Sequence, residues 1–140
     1  LEKPFNADIT ACTQLYGMFY FCDIFEKVTL TNTGNVATIY SAINGGRVYE
    51  FYMDDCSSVT QTTTFKGAAG AVHPLHHLIL SGLTVGIDLS NCQMQATEIN
   101  AFFTALGTAA GSQTIIVTGN PGAATCDTSI ATGKGFTVTT

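Results

Sequence analysis

The chain has 140 residues, a length that suits one domain and allows a sizeable hydrophobic core. Hydrophobic residues make up 46% of it and charged residues only 11%, which excludes a disordered chain and argues against a charged helical bundle. The net charge is −5 and the five basic residues are scattered, so nucleic acid and anionic membrane surfaces are not expected partners. No apolar run is long enough for a spanning helix, and we expect no membrane insertion.

The start of the chain has no Met and no basic region followed by an apolar block, so it does not read as a signal peptide. We therefore expect a fragment or a processed portion of a longer protein. The first 14 residues are interpreted as a linker or an N-terminal cap.

Two segments, 25–30 and 48–53, place apolar residues at matching positions 23 residues apart. The expected equivalent pairs are Phe25/Val48, Val28/Phe51, Leu30/Met53, Tyr16/Ile39, Tyr20/Ile43 and Val36/Val59. A fixed period between about 20 and 50 residues predicts stacked structural repeats. Such repeats more often present a surface than enclose a reaction pocket.

Short strand-like segments recur along the chain, each with alternating apolar residues followed by small polar ones. They are Val28–Asn32, Phe51–Asp55, Leu78–Gly82, Ile87–Asn91, Ile115–Asn120 and Phe136–Thr140. This pattern is typical of short strands with one buried face. All but one of the intervals leave room for a crossover to a parallel neighbour. The step from Leu78 to Ile87 is too short, so both segments are assigned to one widened repeat.

Helical spacing appears between the strands. Residues 96–106 place apolar side chains at Ile99, Phe102, Phe103 and Leu106, and Gly107 follows as a stop signal. Shorter helices are predicted in three further segments, namely 15–21, 38–43 and 128–132. The segment 61–71 is rich in Thr, Gly and Ala, and its part 67–71 is predicted to be a flexible loop.

The second half of the chain carries a more particular series of segments. Its parts are Leu78–Leu83, Ile87–Asn91, the predicted helix, Ile115–Thr118 and Ile130–Val138. The series resembles leucine-rich-repeat-like segments of bacterial surface proteins and of structural proteins of bacteriophage particles. The phrase from Ala131 to Val138 looks like the terminal cap of those segments, with Phe136 where the family usually has Trp. The resemblance extends from about Leu15 to Thr140 and brings no catalytic residues with it.

Together, these patterns predict an α/β fold: a leucine-rich-repeat-like solenoid with a short parallel sheet and short helices or turns on the opposite side. The sheet is expected to contain five to six strands. The repeat domain is placed at residues 15–140. Its repeats are expected at about 15–36, 37–59, 60–92, 93–120 and 121–140.

The cysteines and histidines are interpreted as structural. The five cysteines (Cys12, Cys22, Cys56, Cys92 and Cys126) have irregular spacing and no CxxC pair, so small buried residues at repeat turns are favoured over disulfides or zinc ligands. Among His73, His76 and His77, the adjacent pair should point to opposite faces of a strand, which disfavours a shared metal. A metal or pH-sensing role is the less favoured alternative, and His77 is expected on the exposed face.

Candidate chemistry elsewhere is weak. Asp54 and Asp55 are interpreted as residues that bond turn amides at a strand end, with part of a calcium site as the alternative. Gly119–Gly122 lacks the Lys that follows in a phosphate-binding loop. A minor alternative is that stacking brings Glu50 and Asp88 together as a glycosidase carboxylate pair. We predict no catalytic residues, no metal, no cofactor and no enzymatic activity.

Aromatic residues are dense in the first half, and most are expected to be core: Tyr16, Phe19, Tyr20, Phe21, Phe25, Tyr40, Tyr49, Phe51 and Tyr52. Tyr49 and Tyr52 fit the alternation imperfectly, so some rings should be exposed, as suits sugar stacking or protein contact. The candidate binding residues on the exposed sheet face are Tyr49, Glu50, Tyr52 and His77.

The resemblance implies a virion structural protein segment, a phage fibre, spike or capsid decoration that presents a rigid surface and serves in host attachment. Its expected location is the virion, and its expected partners are other virion proteins, copies of itself, or a host glycan or protein. The alternative is an adhesin domain at the bacterial cell surface. A polysaccharide-degrading spike is a weaker alternative.

Overall fold

The structure is a computed structural model, and it describes residues 4–19, 25–40, 43, 47–62, 65 and 73–140. This part of the chain contains ten short strands and two helices. They are β1 (Phe5–Asp8), β2 (Gln14–Tyr16), β3 (Phe25–Thr31), β4 (Thr38–Tyr40), β5 (Val48–Met53), β6 (Gln61–Thr62), β7 (His77–Leu80), β8 (Ile87–Asp88), α1 (Ala96–Ala105), β9 (Gln113–Ile116), α2 (Ser129–Thr132) and β10 (Phe136–Thr139).

The fold is α/β and contains three small parallel sheets. The first sheet has the order β1-β3-β5-β7 and the second has the order β2-β4-β6, so the first seven strands alternate between two sheets. The third sheet has the order β10-β9-β8. The expectation of one sheet with five to six strands is wrong. The strands of the second sheet are only two or three residues long, too short to show their alternation in the sequence.

The 23-residue period is confirmed in the first sheet. Val28 pairs with Phe5 on one side and with Phe51 on the other, and Leu30 pairs with Met53. Phe25 pairs with Val48, also as expected. This register stacks apolar side chains directly above one another, which is why the period is visible in the sequence.

Between β2 and β4 of the second sheet the offset is one residue longer than in the first sheet, so the expected pairing of Tyr16 with Ile39 is wrong. Leu15 pairs with Ile39, and Tyr16 pairs with Tyr40. The reason is the turn between β1 and β2, which is one residue shorter than the turn between β3 and β4. Tyr20, of the predicted pair Tyr20/Ile43, lies outside the described residues.

Val36 and Val59 occupy equivalent positions, as expected. Both are buried, and each closes the same kind of turn. The Val36 N–H donates to the Thr33 carbonyl at 2.9 Å, and the Val59 N–H donates to the Cys56 carbonyl at 3.1 Å.

The later repeats depart from a single series of strands. Leu78 pairs with Phe51 in the first sheet, whereas Ile115 pairs with Ile87 and, on its other side, with Val138 in the third sheet. Leu78 and Ile87 therefore lie in different sheets. The expected single sheet does not extend from Leu78 to Ile115, because α1, and not a further strand, lies against β7.

Helix α1 confirms the predicted helix and lies against β7. Its buried residues are Ile99, Phe102 and Phe103, and Leu106 is buried just beyond its end. The Gly82 N–H, directly after β7, donates to the Ala105 carbonyl at 2.8 Å. Helix α2 packs on α1 and confirms the helix predicted at 128–132.

The helices predicted at 15–21 and 38–43 are wrong, because their described parts contain β2 and β4. Over so few residues, helical spacing cannot be distinguished from a strand and its following turn. The segment 61–71 contains β6, and its predicted flexible loop at 67–71 lies outside the described residues. Residues 5–8, placed by sequence in a linker or cap, form β1 and pair in register with β3.

The hydrophobic core runs through the whole described chain, from Ile9 to Phe136. Phe51 on β5 makes edge-to-face contacts with Phe19 and Phe65, which lie beyond the ends of β2 and β6, with ring centroids 6.2 Å and 5.8 Å apart. The expectation that Tyr16 and Tyr40 are core residues is wrong. The two residues are 76% and 43% exposed. Both stand on the outward positions of β2 and β4, beside the buried Leu15 and Ile39.

Three buried polar residues, Thr33, His73 and Asn120, form hydrogen bonds with segments more than 20 residues away in the chain. His73 accepts a hydrogen bond at Nδ1 from the Leu75 N–H at 3.1 Å, and its Nε2 lies 3.2 Å from the Ile43 carbonyl oxygen. This arrangement confirms a structural role for His73, because both ring nitrogens are used inside the fold.

The described cysteines are free thiols: Cys56 and Cys92 are buried, while Cys12 and Cys126 are half-buried. Cys22 lies outside the described residues. Burial raises the pKa of Cys56 to about 12, and the nearby Asp55 and Asp54 charges add to the shift. Cys56 is thus an inert core thiol, as predicted for a small buried residue. Among the described helices, none is long and apolar enough to cross a bilayer.

Candidate binding surface

The outer face of the first sheet, formed by outward side chains of β3, β5, β7 and the residues beside them, carries the candidate binding residues. In β5, the buried Phe51 and Met53 alternate with the half-exposed Glu50 and Tyr52. Tyr49 is half-exposed as well, so two consecutive residues, Tyr49 and Glu50, interrupt the alternation of buried and exposed positions. The alternation is interrupted in the same way before Val28 in β3. The outer face is therefore one residue wider than strict alternation would give.

Glu50 is the centre of the outer face. Its register partners are Lys27 on β3 and His77 on β7. The Tyr52 hydroxyl donates to Glu50 Oε2 at 3.0 Å, and Lys27 Nζ lies 4.0 Å from the same oxygen. His76 Nε2 lies 3.6 Å from Glu50 Oε1. The Glu50 carboxylate on β5 thereby contacts Lys27 on β3 and His76, the residue just before β7.

Tyr52 contacts side chains of both neighbouring strands. Lys27 Nζ lies 4.3 Å from the centroid of its ring, and the His77 ring centroid lies 5.3 Å away on the neighbouring strand. Burial raises the pKa of Tyr52 to about 12, and the hydrogen bond to Glu50 and the negative charge of Glu50 add to the shift. The phenol is therefore a neutral hydrogen-bond donor at physiological pH.

The structure places the four sequence-predicted residues on one face. Glu50, Tyr52 and His77 form a contiguous group, and Tyr49 faces the His76 ring at a centroid distance of 6.0 Å. The expectation that His76 and His77 point to opposite faces is wrong. Because His76 precedes the first residue of β7, strand alternation does not apply to it, and both rings reach the outer surface.

Sequence reasoning missed Lys27, His76 and Glu98 as members of this surface. The 23-residue offset contained the signal for Lys27, since it places this residue opposite Glu50. Glu98 belongs to the first turn of α1, which lies beside β7. Burial alone would raise the pKa of Glu98, but hydrogen bonds from Thr97 and nearby backbone groups, together with His77, lower it.

A second polar region is a cleft of about 390 Å³ lined by Thr10, Asn32, Gly34, Asn35, Asp54 and Asp55. Asp54 Oδ1 accepts bonds from the Thr33 N–H at 3.1 Å and the Thr33 hydroxyl at 2.8 Å, and Oδ2 accepts from the Asn32 N–H at 2.9 Å. Burial would raise the pKa of Asp54, but these hydrogen bonds outweigh it and lower the pKa.

Asp55 also bonds within its turn, because its Oδ1 accepts from the Ser57 N–H at 2.9 Å. The interpretation of Asp54 and Asp55 as residues that bond turn amides is confirmed. Among the residues that the structure describes, no group of three or more His, Cys, Asp or Glu side chains is arranged to hold a metal ion.

The possible glycosidase pair is not assembled. Glu50 lies in β5 of the first sheet, whereas Asp88 lies in β8 of the third sheet. Asp88 Oδ1 accepts a hydrogen bond from the Ser90 N–H at 2.9 Å, a bond within its own turn. The two carboxylates thus belong to separate surfaces of the molecule.

Comparison of the chain with protein-family models, curated proteins and solved structures finds no match. The proposal for the function therefore rests on the residues of the outer face of the first sheet. This surface combines aromatic rings with charges of both signs on parallel strands, an arrangement that suits contact with another molecule better than enclosure of a small one.

Proposed function

We propose that the chain is a rigid, non-enzymatic segment of a virion structural protein, a phage fibre, spike or capsid decoration that attaches the particle to a host. In this proposal the fold is a leucine-rich-repeat-like solenoid. Each of the first repeats supplies one strand to the first sheet and one to the second. Later repeats replace the first of these strands with α1 and then α2.

The in-register stacking of apolar residues supports the solenoid. Val28, Phe51 and Leu78 follow one another in the first sheet, and Ile87, Ile115 and Val138 do so in the third. The Phe65 N–H donates to the Asp88 carbonyl at 2.9 Å, which connects the chain directly after β6 with β8. This bond continues the second sheet toward the third, as successive turns of one coil require.

The single observation that carries an attachment role is the position of Glu50, which holds Tyr52, Lys27 and His76 in fixed places on the outer face. Exposed ion pairs contribute little affinity by themselves, about 0 to 1 kcal/mol each. Aromatic side chains commonly dominate binding energy, so Tyr49 and Tyr52 are the expected main contacts. A surface ordered before binding loses less entropy on contact.

Locating the protein in native material tests this proposal. Gold-labelled antibodies and mass spectrometry should find the chain on purified phage particles, and electron microscopy should show it in a projecting or surface-exposed structure. Labelling of the bacterial envelope in the absence of particles would favour the adhesin alternative. Release of reducing ends from host capsule by the purified protein would contradict a non-enzymatic role.

Variants of the outer face test the attachment surface. Particles with Tyr52→Ala or Tyr49→Ala should adsorb to host cells at a rate lower than wild type. Thr137→Ala is the matched control, since Thr137 is exposed on β10 of the third sheet. Equal adsorption of all variants would remove the outer face of the first sheet from the attachment role.

A further inference from the structure

Tyr16 and Tyr40 form an exposed aromatic stack on the second sheet. Their ring centroids lie 5.0 Å apart and their planes differ by 8°. The two residues are 76% and 43% exposed, and neither hydroxyl forms a hydrogen bond with another described residue. The pair is therefore not needed to satisfy polar groups or to fill the core.

One face of the Tyr16 ring has no stacking partner among the residues that the structure describes. Tyr16 belongs to β2, the edge strand of the second sheet, and Tyr40 on β4 covers the side of the ring that faces the sheet. No strand of the described chain pairs with the other edge of β2. The open ring face lies where a further member of the stack would sit.

A line of uncharged hydrogen-bonding side chains runs beside this stack. Gln14, Thr38 and Gln61 pair in register on β2, β4 and β6, two residues before the positions of Tyr16 and Tyr40 in their strands. Gln14 and Gln61 are exposed and Thr38 is half-exposed. These three strands contain no charged residue. The surface thus offers amides, hydroxyls and an aromatic face without charge.

We propose that this surface, the Tyr16–Tyr40 platform, binds a neutral glycan. The less polar face of a pyranose ring stacks on the open face of Tyr16. Its hydroxyl groups bond to the Gln14 and Thr38 side chains and to the free phenol hydroxyls. Exposed large aromatic groups in register are a typical mark of an interaction surface in a soluble fold.

The chemistry of the platform selects this ligand class. An acidic glycan finds no cationic partner on β2, β4 or β6, and the net charge of −5 repels it. Addition of a peptide strand to the edge of β2 is disfavoured, because three residues provide very few backbone hydrogen bonds. A neutral saccharide needs only one ring face and a few amide or hydroxyl groups.

The platform goes beyond the proposed function, because it lies on a different sheet from the outer face of the first sheet. It would bind saccharide whether the chain stands on a particle or on a cell. A negative glycan test would say nothing about where the protein is located. A negative labelling experiment on particles would likewise say nothing about Tyr16.

Titration of the ¹⁵N-labelled chain with cellotriose, maltotriose and the trisaccharide of N-acetylglucosamine, followed by NMR, tests the platform. At least one of these probes should shift the amide resonances of Gln14, Tyr16, Thr38 and Tyr40. Sialyllactose, an acidic probe, should shift them less at equal concentration. Tyr16→Ala should weaken binding about tenfold, the size expected when one aromatic contact is lost.

The control is Thr137→Ala, which removes an exposed hydroxyl side chain from β10 of the third sheet and should leave saccharide binding unchanged. Circular dichroism melting of Tyr16→Ala checks that the variant is folded, and Tyr16→Phe should retain stacking if the ring itself binds. Absence of shifts with all three neutral probes overturns the proposal. So does self-association, seen by sedimentation, that Tyr16→Ala abolishes, because the platform would then be an interface between copies.

Discussion

The backbone N–H of Met94 donates to Asn120 Oδ1 at 3.0 Å, and the two residues are 26 positions apart in the chain. The Asn120 Nδ2 group donates to the carbonyls of Leu89 and Val117, each at 2.8 Å. One buried amide therefore satisfies three backbone groups from two segments, and it fixes the turn after β9 against the segment between β8 and α1.

Replacement of this amide should be costly. Asn120→Ala leaves the buried Met94 N–H and Leu89 carbonyl without their partner, and we expect a loss of about 2 to 3 kcal/mol in the free energy of unfolding. Chemical denaturation measures it. The control is Asn100→Ala, which removes a less buried amide that accepts from the Asp127 N–H, and should cost less than about 1 kcal/mol. Equal losses would argue against a special role for Asn120.

Lys134 closes the C-terminal end of α1. Its Nζ donates to the carbonyls of Thr104 and Leu106, each at 2.6 Å. Lys134→Met keeps most of the aliphatic chain but removes the charge and both bonds, so unfolding free energy should fall by about 1 to 2 kcal/mol. Lys27→Met changes net charge equally but removes only partly exposed contacts, the ion pair with Glu50 and the contact with the Tyr52 ring, and should cost about 1 kcal/mol or less. Thermal melts of both variants would reveal the difference.

Tyr52 should ionise late in an alkaline titration. Its pKa is raised from 10.0 to about 12, so the folded protein keeps the phenol proton at a pH where the unfolded chain has lost it. Stability contributed by this group is complete below pH 10 and falls as the pH rises toward 12. Ultraviolet absorbance should show a phenolate step near pH 12 that Tyr52→Phe removes.

The same titration separates the causes of the Tyr52 shift. Burial is the largest of them, ahead of the hydrogen bond and charge of Glu50. Glu50→Gln should therefore lower the pKa of Tyr52 only in part. A return to an ordinary tyrosine pKa in Glu50→Gln would show that Glu50, and not burial, is the main cause.

Gly86 allows close contact between β8 and β9. A Cβ atom there would collide with the backbone oxygen of Thr114 and lie 2.9 Å from its nitrogen. Gly86→Ala should cost about 2 to 3 kcal/mol, since the obstacle is backbone in a paired strand. At Gly34 a Cβ would meet only the Asp55 carboxylate group, which can rotate away, so Gly34→Ala should cost less than about 1 kcal/mol. Denaturation midpoints that shift equally would contradict this distinction.

The sequence was informative where packing repeats at a constant spacing. The offset between Val28 and Phe51 predicted a true register pair, and the apolar spacing around Phe102 predicted α1. The sequence was misleading where strands are only two or three residues long. Leu15 and Ile39 are buried by partners on neighbouring strands, so their apolar character does not depend on helical spacing.

The candidate surfaces were predictable only in part, for a similar reason. The imperfect alternation around Tyr49 drew attention to β5, and the structure places its partners on adjacent strands. Tyr16 and Tyr40 resembled core residues, because an aromatic residue beside Leu15 or Ile39 fits a buried pattern. Their exposure follows from the extra residue in the turn before β4, which sets Tyr16 opposite Tyr40.

The equal spacing of Phe5, Val28 and Phe51 makes the first sheet extendable. A genetic duplication of residues 28–50 would insert one more copy of the same inward-facing pattern, and the residues on either side would keep suitable neighbours. Shortening by one such unit would be tolerated for the same reason. The number of strands in the first sheet can thus change by one without a change in the residues that form its core.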